Sequence, residues 1–345
     1  MKRTVYLGTL ILMMTAAMTL PGFGQAPAAP QKRTRSTQEY DAYNACYMEK
    51  DFAKKADLCE KFIAAFKESD FADYGYNLIV QSYLQTKNWQ KAMDTVDKAV
   101  AAFPNDNSFK KSTYLNAIIA AQSANDSDKA IAYADKLLGI DPNDLDGMIT
   151  IATEIPRKSS PDKGQLNRAA DMANKALAGL QPLLSKATPQ QKPQLVQRDE
   201  ELHQTLGAIA YSQKDYPQSI REYQKAIEDN KKNDGARLYL AYNYINQMAQ
   251  ASQEFQAALK AENDAKQAKA DQPTIDDLAA KRADLEDKVL KFRDMVIDEL
   301  AKAAAVNGPN VAQAKDQLLK QWKVKNDNKT DGMDEYVNSK KAEVQ

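Results

Sequence analysis

The chain has 345 residues, of which 43% are hydrophobic and 27% charged, an ordinary balance for a soluble protein. Lysine plus arginine and aspartate plus glutamate number 47 each, so no strong field attracts nucleic acid or anionic lipid. Two cysteines and one histidine leave few candidates for thiol, metal or imidazole chemistry.

Residues 1–24 have the pattern of a secretory signal. Lys2 and Arg3 form a charged start, a mostly apolar stretch follows, and small residues then stand at the spacing that a signal peptidase reads. We predict export to the periplasm or outside the cell, with cleavage after Gly24. An uncleaved anchor is the alternative, although the apolar run is near the short end for a spanning helix. Residues 25–35, rich in Ala and Pro, are predicted to be a flexible linker.

Residues 73–106 carry two apolar-periodic runs on either side of a polar break. Apolar side chains recur on one face of each run, which predicts two helices, and Pro104 stops the second. Trp89 follows the break, and the small residues Ala92 and Ala99 lie where the two helices must approach each other.

With these features the stretch resembles the tetratricopeptide repeat (TPR) family, whose unit is a helix–turn–helix of ~34 residues. Trp89 stands in the family's aromatic position after the turn, and Pro104 stands in its closing proline position. The resemblance implies an all-α fold, a TPR-type α-solenoid of helix–turn–helix repeats.

Four repeats are predicted over residues 36–180, the first and the fourth degenerate. In the first, Lys55 stands where the family has a small residue, which puts close packing there in doubt. In the third, the loop before Lys111 is predicted to hold about four residues more than the family pattern. Pro156 is predicted to end the first helix of the fourth repeat early.

A proline-containing connection is predicted at residues 181–199, followed by a second block of repeats over residues 200–306. The first repeat of this block is a clean match, because Leu206-Gly207 is the family's Leu-Gly pair. The last repeat is predicted to have two lengthened helices that project as an antiparallel hairpin at about residues 250–282. The second of these helices would start at Thr274 as its N-cap, and its apolar spacing is near the coiled-coil period of about 3.5. Two ordinary helices with a disordered link are the alternative.

The chain is predicted to end in a capping helix over residues 307–325 and a polar tail over residues 326–345.

Near the other end, Cys46 and Cys59 lie in one predicted hairpin. If the chain turns near Asp51, Cys59 is displaced from the partner position of Cys46 by about 6–10 Å at ~1.5 Å per residue. Bonding distance between Cα atoms is at most about 7 Å, so we predict two buried free thiols.

The sequence contains no Gly-rich phosphate loop, zinc-type Cys/His cluster or nucleophile elbow. His203 stands at a packing position of a clean repeat and is predicted to be structural. Residues 327–332 suggest a calcium loop, but Lys329 occupies a ligand position and Asn338 replaces the closing Glu. We therefore predict no enzymatic activity, no cofactor and no bound metal.

The resemblance implies that a partner binds in a concave groove lined by the first helix of each repeat. Aromatic and amide side chains there suit an extended peptide or a protein segment, and Lys and Arg are too scarce for a carboxylate clamp. The expected groove residues are Tyr74, Asn77, Gln81, Ser112, Leu115, Ile119, Gln204, Ala208, Tyr211, Leu238 and Tyr242.

Two functions fit the sequence. One is an exported scaffold that holds a peptide or protein partner of unknown identity in its groove, within envelope-assembly or secretion-related complexes. The other is a structural envelope protein that self-associates through its coiled-coil-like hairpin. Neither nucleic acid nor a small-molecule cofactor is expected as a partner.

Overall fold

The structure, a computed structural model, describes residues 32–345. The predicted signal and the start of the linker lie outside the described residues. Within the described part, the chain is all-α: it forms helices and no strand. The helices fall into two compact units, divided between Pro142 and Asn143. No helix within residues 32–345 is both long enough and apolar enough to span a membrane.

Unit one consists of three helical hairpins, which lie where the first three repeats are predicted. The helices are α1 Thr37–Met48, α2 Phe52–Ala65, α3 Ala72–Gln85, α4 Trp89–Ala102, α5 Asn107–Ser123 and α6 Ser127–Ile140.

The prediction of a longer loop before Lys111 is wrong, because the additional residues are helical. α5 begins at Asn107 and has 17 residues, whereas α3 has 14. The side chain of Asp106 accepts a hydrogen bond from Phe109 N (2.9 Å) and so caps α5 at this earlier position.

The end of the predicted linker is attached to unit one. The Lys32 ammonium pairs with the Asp73 carboxylate, and Arg35 Nη2 lies 3.4 Å from Asp70 Oδ1. The backbone of Arg33 also donates to Asp70. Residues 32–35 therefore contact the start of α3, and the expectation of a free tether does not hold for them.

Unit two begins with α7 and a short 3₁₀ helix that contains Pro156, and the remaining α-helices follow in chain order. The unit ends in two short helical segments. Its helices are α7 Leu145–Glu154, α8 Lys163–Lys186, α9 Lys192–Ser212, α10 Tyr216–Asp229, α11 Asp234–Gln267, α12 Gln272–Val306, α13 Val311–Lys325 and α14 Met333–Ser339, with 3₁₀ helices at Ile155–Arg157 and Lys340–Val344.

The proline-containing connection predicted at residues 181–199 is mostly helical, and the break between the helices is confined to residues 187–191. α8 runs through Pro182 to Lys186, and α9 starts at Lys192 with Pro193 in its first turn. A proline is tolerated in the first turn because the N–H that it lacks has no partner in the helix there. Pro182 lies in the last two turns of α8, where only a short length of helix follows it.

One turn geometry recurs between the helices of four hairpins. The left-handed residues are Lys87, Asn125, Lys214 and Lys269, with φ of 57°, 56°, 63° and 54°. The residue after each of them donates its N–H to a carbonyl five residues back, at 2.8 to 3.0 Å. This is the Schellman pattern that satisfies the free carbonyls of a helix end. The hairpins therefore repeat one local structure, not just one pattern of apolar residues.

The two helices of a hairpin touch where small residues leave room. Ala92 and Ala99 of α4 are fully buried, as predicted. A Cβ atom placed on Gly207 would lie 3.0 Å from the ring of Tyr223, closer than carbon atoms normally approach. The hydroxyl of Ser219 donates to Gly207 O at 2.8 Å. A side chain at position 207 would therefore push against the Tyr223 ring at the contact between α9 and α10.

The lengthened hairpin is present as α11 and α12, of 34 and 35 residues. Its register is shown by two ion pairs across the hairpin, Lys288 Nζ–Glu254 Oε2 at 3.4 Å and Arg282 Nε–Glu262 Oε2 at 2.7 Å. Residues 250 and 282 are therefore not partners across the hairpin. The predicted cap is also wrong: Asp271 is the N-cap of α12, and it accepts from Thr274 N at 2.9 Å.

The polar tail predicted over residues 326–345 is folded onto α12. Val337 and Val344 are buried, and the ring centroids of Trp322 and Tyr336 lie 5.4 Å apart. Lys340 Nζ lies 2.7 Å from Asp298 Oδ1, and this hydrogen bond raises the pKa of Lys340. The tail has few apolar residues, but their spacing lets them pack against the core together. Their number alone does not predict this packing.

The prediction of two free thiols is wrong, because Cys46 and Cys59 form a disulfide with Cα atoms 4.9 Å apart. The prediction assumed that α2 starts level with the end of α1. In the structure Glu49 and Asp51 have extended backbone between the helices. A three-residue extended segment spans up to about 10 Å, so α2 can start about 7 Å beyond the end of α1. That offset brings Cys59 opposite Cys46.

Removing the disulfide is expected to destabilise unit one. Replacing both cysteines, as C46S/C59S, frees a loop of 13 residues, which corresponds to about 3 kcal/mol of unfolding free energy. Chemical denaturation followed by circular dichroism should show this loss. The same loss should appear in the wild type after reduction. Two titratable thiols in the denatured, unreduced protein would contradict the disulfide itself.

Shortening the long hairpin is expected to leave the fold of unit two intact. The core cluster of this unit reaches only Ile245 on α11 and Phe292 on α12. Deleting residues 255–287 and joining Glu254 to Lys288 through a short turn removes residues beyond that core. Thermal unfolding should stay cooperative with a similar midpoint. A deletion that abolishes the cooperative transition would show that the outer hairpin belongs to the core.

Candidate functional site

Most of the groove residues predicted in unit one lie on accessible faces of first helices. Tyr74 and Ile119 are 48% and 38% exposed, Gln81 and Ser112 are exposed, and Asn77 and Leu115 are half-buried. In both α3 and α5 the three residues are spaced i, i+3 and i+7, so they share one helix face.

This face of unit one is partly engaged by the chain itself. The Lys32 ammonium lies 4.0 Å from the centroid of the Tyr74 ring, a cation–π contact. Gln81 Nε2 donates to Asn116 Oδ1 at 3.2 Å and joins α3 to α5. What remains open is an aliphatic and amide surface with little aromatic area.

The residues predicted in unit two also lie at the surface, with one exception. Ala208 is exposed, and Gln204, Tyr211 and Tyr242 are half-buried. Leu238 is only 2% exposed and packs in the core, so it does not line a binding surface. The next residue, Tyr239, is 45% exposed and takes its place.

Four tyrosines form one patch on unit two, which we call the tyrosine surface: Tyr211, Tyr216, Tyr239 and Tyr242. Tyr211 contacts Tyr216 and Tyr239 with ring centroids 5.9 and 6.3 Å apart, and Tyr239 contacts Tyr242 at 5.9 Å. Buried Tyr223 stacks against Tyr239 from below, at 5.7 Å and an interplanar angle of 10°. The rings are thus held in place before any partner arrives.

Amide side chains orient two of the phenol groups. Asn246 Nδ2 donates to Tyr211 Oη at 3.1 Å, and Gln313 Nε2 donates to Tyr242 Oη at 2.7 Å. Burial raises the pKa of Tyr242, so its hydroxyl stays protonated. Within the described residues neither hydroxyl donates to another protein group. Each O–H is therefore available to donate to an acceptor on a partner.

A second cluster in unit two surrounds the only histidine of the chain. His203 is buried, and its Nδ1 lies 2.7 Å from Glu222 Oε2. Its Nε2 lies 3.6 Å from Asp199 Oδ2, one turn back on α9. Asp229, the last residue of α10, completes the cluster, and burial together with the neighbouring Asp199 raises its pKa to about 6. His203 is thus buried and hydrogen-bonded within the hairpin of α9 and α10.

The sequence matches no protein-family model and no curated protein. Solved structures of similar fold include a tetratricopeptide repeat protein from Parabacteroides merdae, which is 11% identical with a TM-score of 0.44, covering 83% of this chain and 99% of that one. BtubC from P. vanneervenii is 13% identical with a TM-score of 0.37, covering 75% and 89%. A human IFIT1 dimer with m7Gppp-AAAA is 11% identical with a TM-score of 0.33, covering 90% and 69%. None of these similarities bears on function.

The geometry of the described residues defines a class by itself: an all-α protein of helical hairpins with a recurring turn and small residues at the helix contacts. These hairpins resemble tetratricopeptide repeats in local structure. The resemblance rests on Trp89 and Tyr216 after the repeated turns, on Gly207 against Tyr223, and on the buried alanines of α4.

Tyr239 and Tyr216 are the members of the tyrosine surface that the sequence reasoning missed. Tyr239 lies three residues before Tyr242, a spacing that places both on one helix face. Leu238 lies four residues before Tyr242 and is also compatible with that face, so periodicity alone did not separate the two. Leucine is more often buried than tyrosine, and this preference could have identified Tyr239 as the exposed residue of the two.

Proposed function

We propose that the protein is an exported, non-enzymatic scaffold that binds an extended peptide or protein segment on the tyrosine surface. The observation that carries the proposal is the pair of oriented phenol hydroxyls, Tyr211 and Tyr242, on either side of the exposed ring of Tyr239.

The chemistry of this surface suits an uncharged, extended chain. A free O–H donor pairs with a backbone carbonyl, and a fixed aromatic ring covers an apolar or proline side chain at small entropic cost. No lysine or arginine among the predicted groove residues selects a carboxylate. Tyrosines held against one another before binding lose little freedom when the partner arrives, which favours affinity.

Export is supported by two independent features of the chain. The first 24 residues have the charge and hydropathy pattern of a secretory signal. Cys46 and Cys59 form a disulfide, a bond that is typical of oxidising compartments and rare in the cytosol. We therefore propose that the scaffold works in the periplasm or outside the cell, in envelope-assembly or secretion-related complexes.

Replacing Tyr239 with alanine is expected to weaken peptide binding by about 5- to 30-fold, the loss typical of a central aromatic contact. Peptides selected from a displayed random library would serve as the ligands, and fluorescence anisotropy would measure the affinity. Y211F and Y242F should each weaken binding by a smaller factor, because each removes one O–H donor and leaves the ring.

Leu290→Ala is the matched control for the tyrosine variants. Leu290 is 45% exposed and lies on α12 of the same unit, outside the tyrosine surface. This substitution should not change the affinity. Selected peptides that bind Y239A and Y211F as tightly as the wild type would overturn the proposed site.

The mature protein is expected to begin at or near Gln25 when purified from the envelope of its host. Intact-mass measurement and N-terminal sequencing test this directly. A mass that still includes residues 1–24, with the protein in the membrane fraction, would contradict cleavage and favour an anchor. Fusion of residues 1–24 to a periplasmic reporter gives a second readout, and export should fail when Lys2 and Arg3 become acidic.

A further inference from the structure

Three potential ligand atoms converge inside the hairpin of α9 and α10. Asp199 and His203 lie four residues apart on one face of α9, and Asp229 ends α10 beside them. One ligand atom from each residue lies within 4.8 Å of the other two. In a tetrahedral site with ligand distances of about 2.1 Å the donor atoms lie about 3.4 Å apart, so these atoms would have to move inward by up to about 1.4 Å to bind an ion together.

The histidine ring is oriented for coordination through Nε2. Its Nδ1 lies 2.7 Å from Glu222 Oε2, and an ionised carboxylate can only accept, so Nδ1 carries the proton. Glu222 is held in turn by Gln218 Nε2, which donates to Oε1 at 2.7 Å, and Lys225 Nζ lies 3.5 Å from the same oxygen. The lone pair of Nε2 then points towards the two aspartates. A carboxylate behind the ring is the usual partner of a metal-binding histidine.

Lysine and arginine supply no compensating charge to the two aspartates in the part of the chain that the structure describes. Asp229 Oδ2 is shielded from solvent and no donor hydrogen-bonds to it. Asp199 Oδ1 accepts one long bond, from Gln181 Nε2 at 3.4 Å. Within residues 32–345, neither aspartate forms an ion pair with a lysine or an arginine. Buried carboxylates without a cation are costly, so the arrangement favours a bound positive ion.

We propose that Asp199, His203 and Asp229 bind a divalent transition-metal ion of the Zn²⁺ class, with Glu222 positioning His203. One imidazole nitrogen and two carboxylate oxygens fit Zn²⁺ better than Ca²⁺ or Mg²⁺, which prefer oxygen ligands alone. Three protein ligands leave a fourth position for water or for a donor from a partner. The end of α10 adds the negative pole of a helix dipole next to the ion.

The site is tested with the chain from Gln25 to Gln345, treated with a chelator and carrying no histidine tag. Isothermal titration calorimetry with ZnCl₂ should show one ion per chain. Because the chain has a single histidine, its imidazole ¹⁵N signals report this site alone, and Zn²⁺ should shift Nε2 while Nδ1 stays protonated. Both cysteines are in the disulfide, so no thiol competes for the metal.

The variants separate ligands from neighbours. H203Q and D229N should each weaken binding by at least about 10-fold, and E222Q by about 10-fold, the range typical of an outer-shell partner. Glu228→Gln, an exposed neighbour of Asp229, is the control and should bind Zn²⁺ like the wild type. Circular dichroism melts show whether each variant is folded. D229N is the variant expected to disturb packing least, because Asp229 lies at a helix end. A wild type that binds no Zn²⁺, an Nε2 signal that does not move, or D229N and H203Q that bind normally would each overturn the proposal.

Discussion

Close contact between two helices, with almost no side chain between them, is the constraint on which each hairpin depends. Gly207 lies directly against the ring of Tyr223, and Ala92 and Ala99 are fully buried in their own hairpin. A larger side chain at such a position would force the helices apart, at a cost of about 1–3 kcal/mol. In each hairpin the first helix packs on the second with one face, and its other face stays accessible. The tyrosine surface is a consequence of that arrangement.

The long hairpin of α11 and α12 obeys the same constraint with a different outcome. Its outer arms are rich in alanine, and Ala251 and Ala258 are buried between them. Alanine buries little apolar area, so hydrophobic packing alone specifies the register weakly. The salt bridge between Glu262 and Arg282 supplies a directional contact that a shift along the helix would break. Charged groups thus define the pairing where apolar contacts are too uniform to do so.

Helix pairs were predictable from the sequence because apolar spacing, turn residues and small contact residues all agree. Features that depend on the conformation of a few linking residues were not. The offset that brings Cys59 to Cys46 comes from extended backbone in a three-residue loop. Pro182 and Pro193 are compatible with helix ends, so they did not mark the bounds of the short connection at residues 187–191. At the proposed binding surface, Leu238 and Tyr239 are neighbours in sequence. A one-residue difference in helix phase decides which of them is exposed.

The disulfide gives unit one two unlike ends. In an array of repeats each hairpin is stabilised mainly by its neighbours, so a terminal hairpin ordinarily frays first. The hairpin of α1 and α2 is terminal among the described helices, yet it is closed covalently between Cys46 and Cys59. The hairpin of α5 and α6 has no such bond. The disulfide therefore resists the separation of α1 from α2, the step by which a terminal hairpin would otherwise open first.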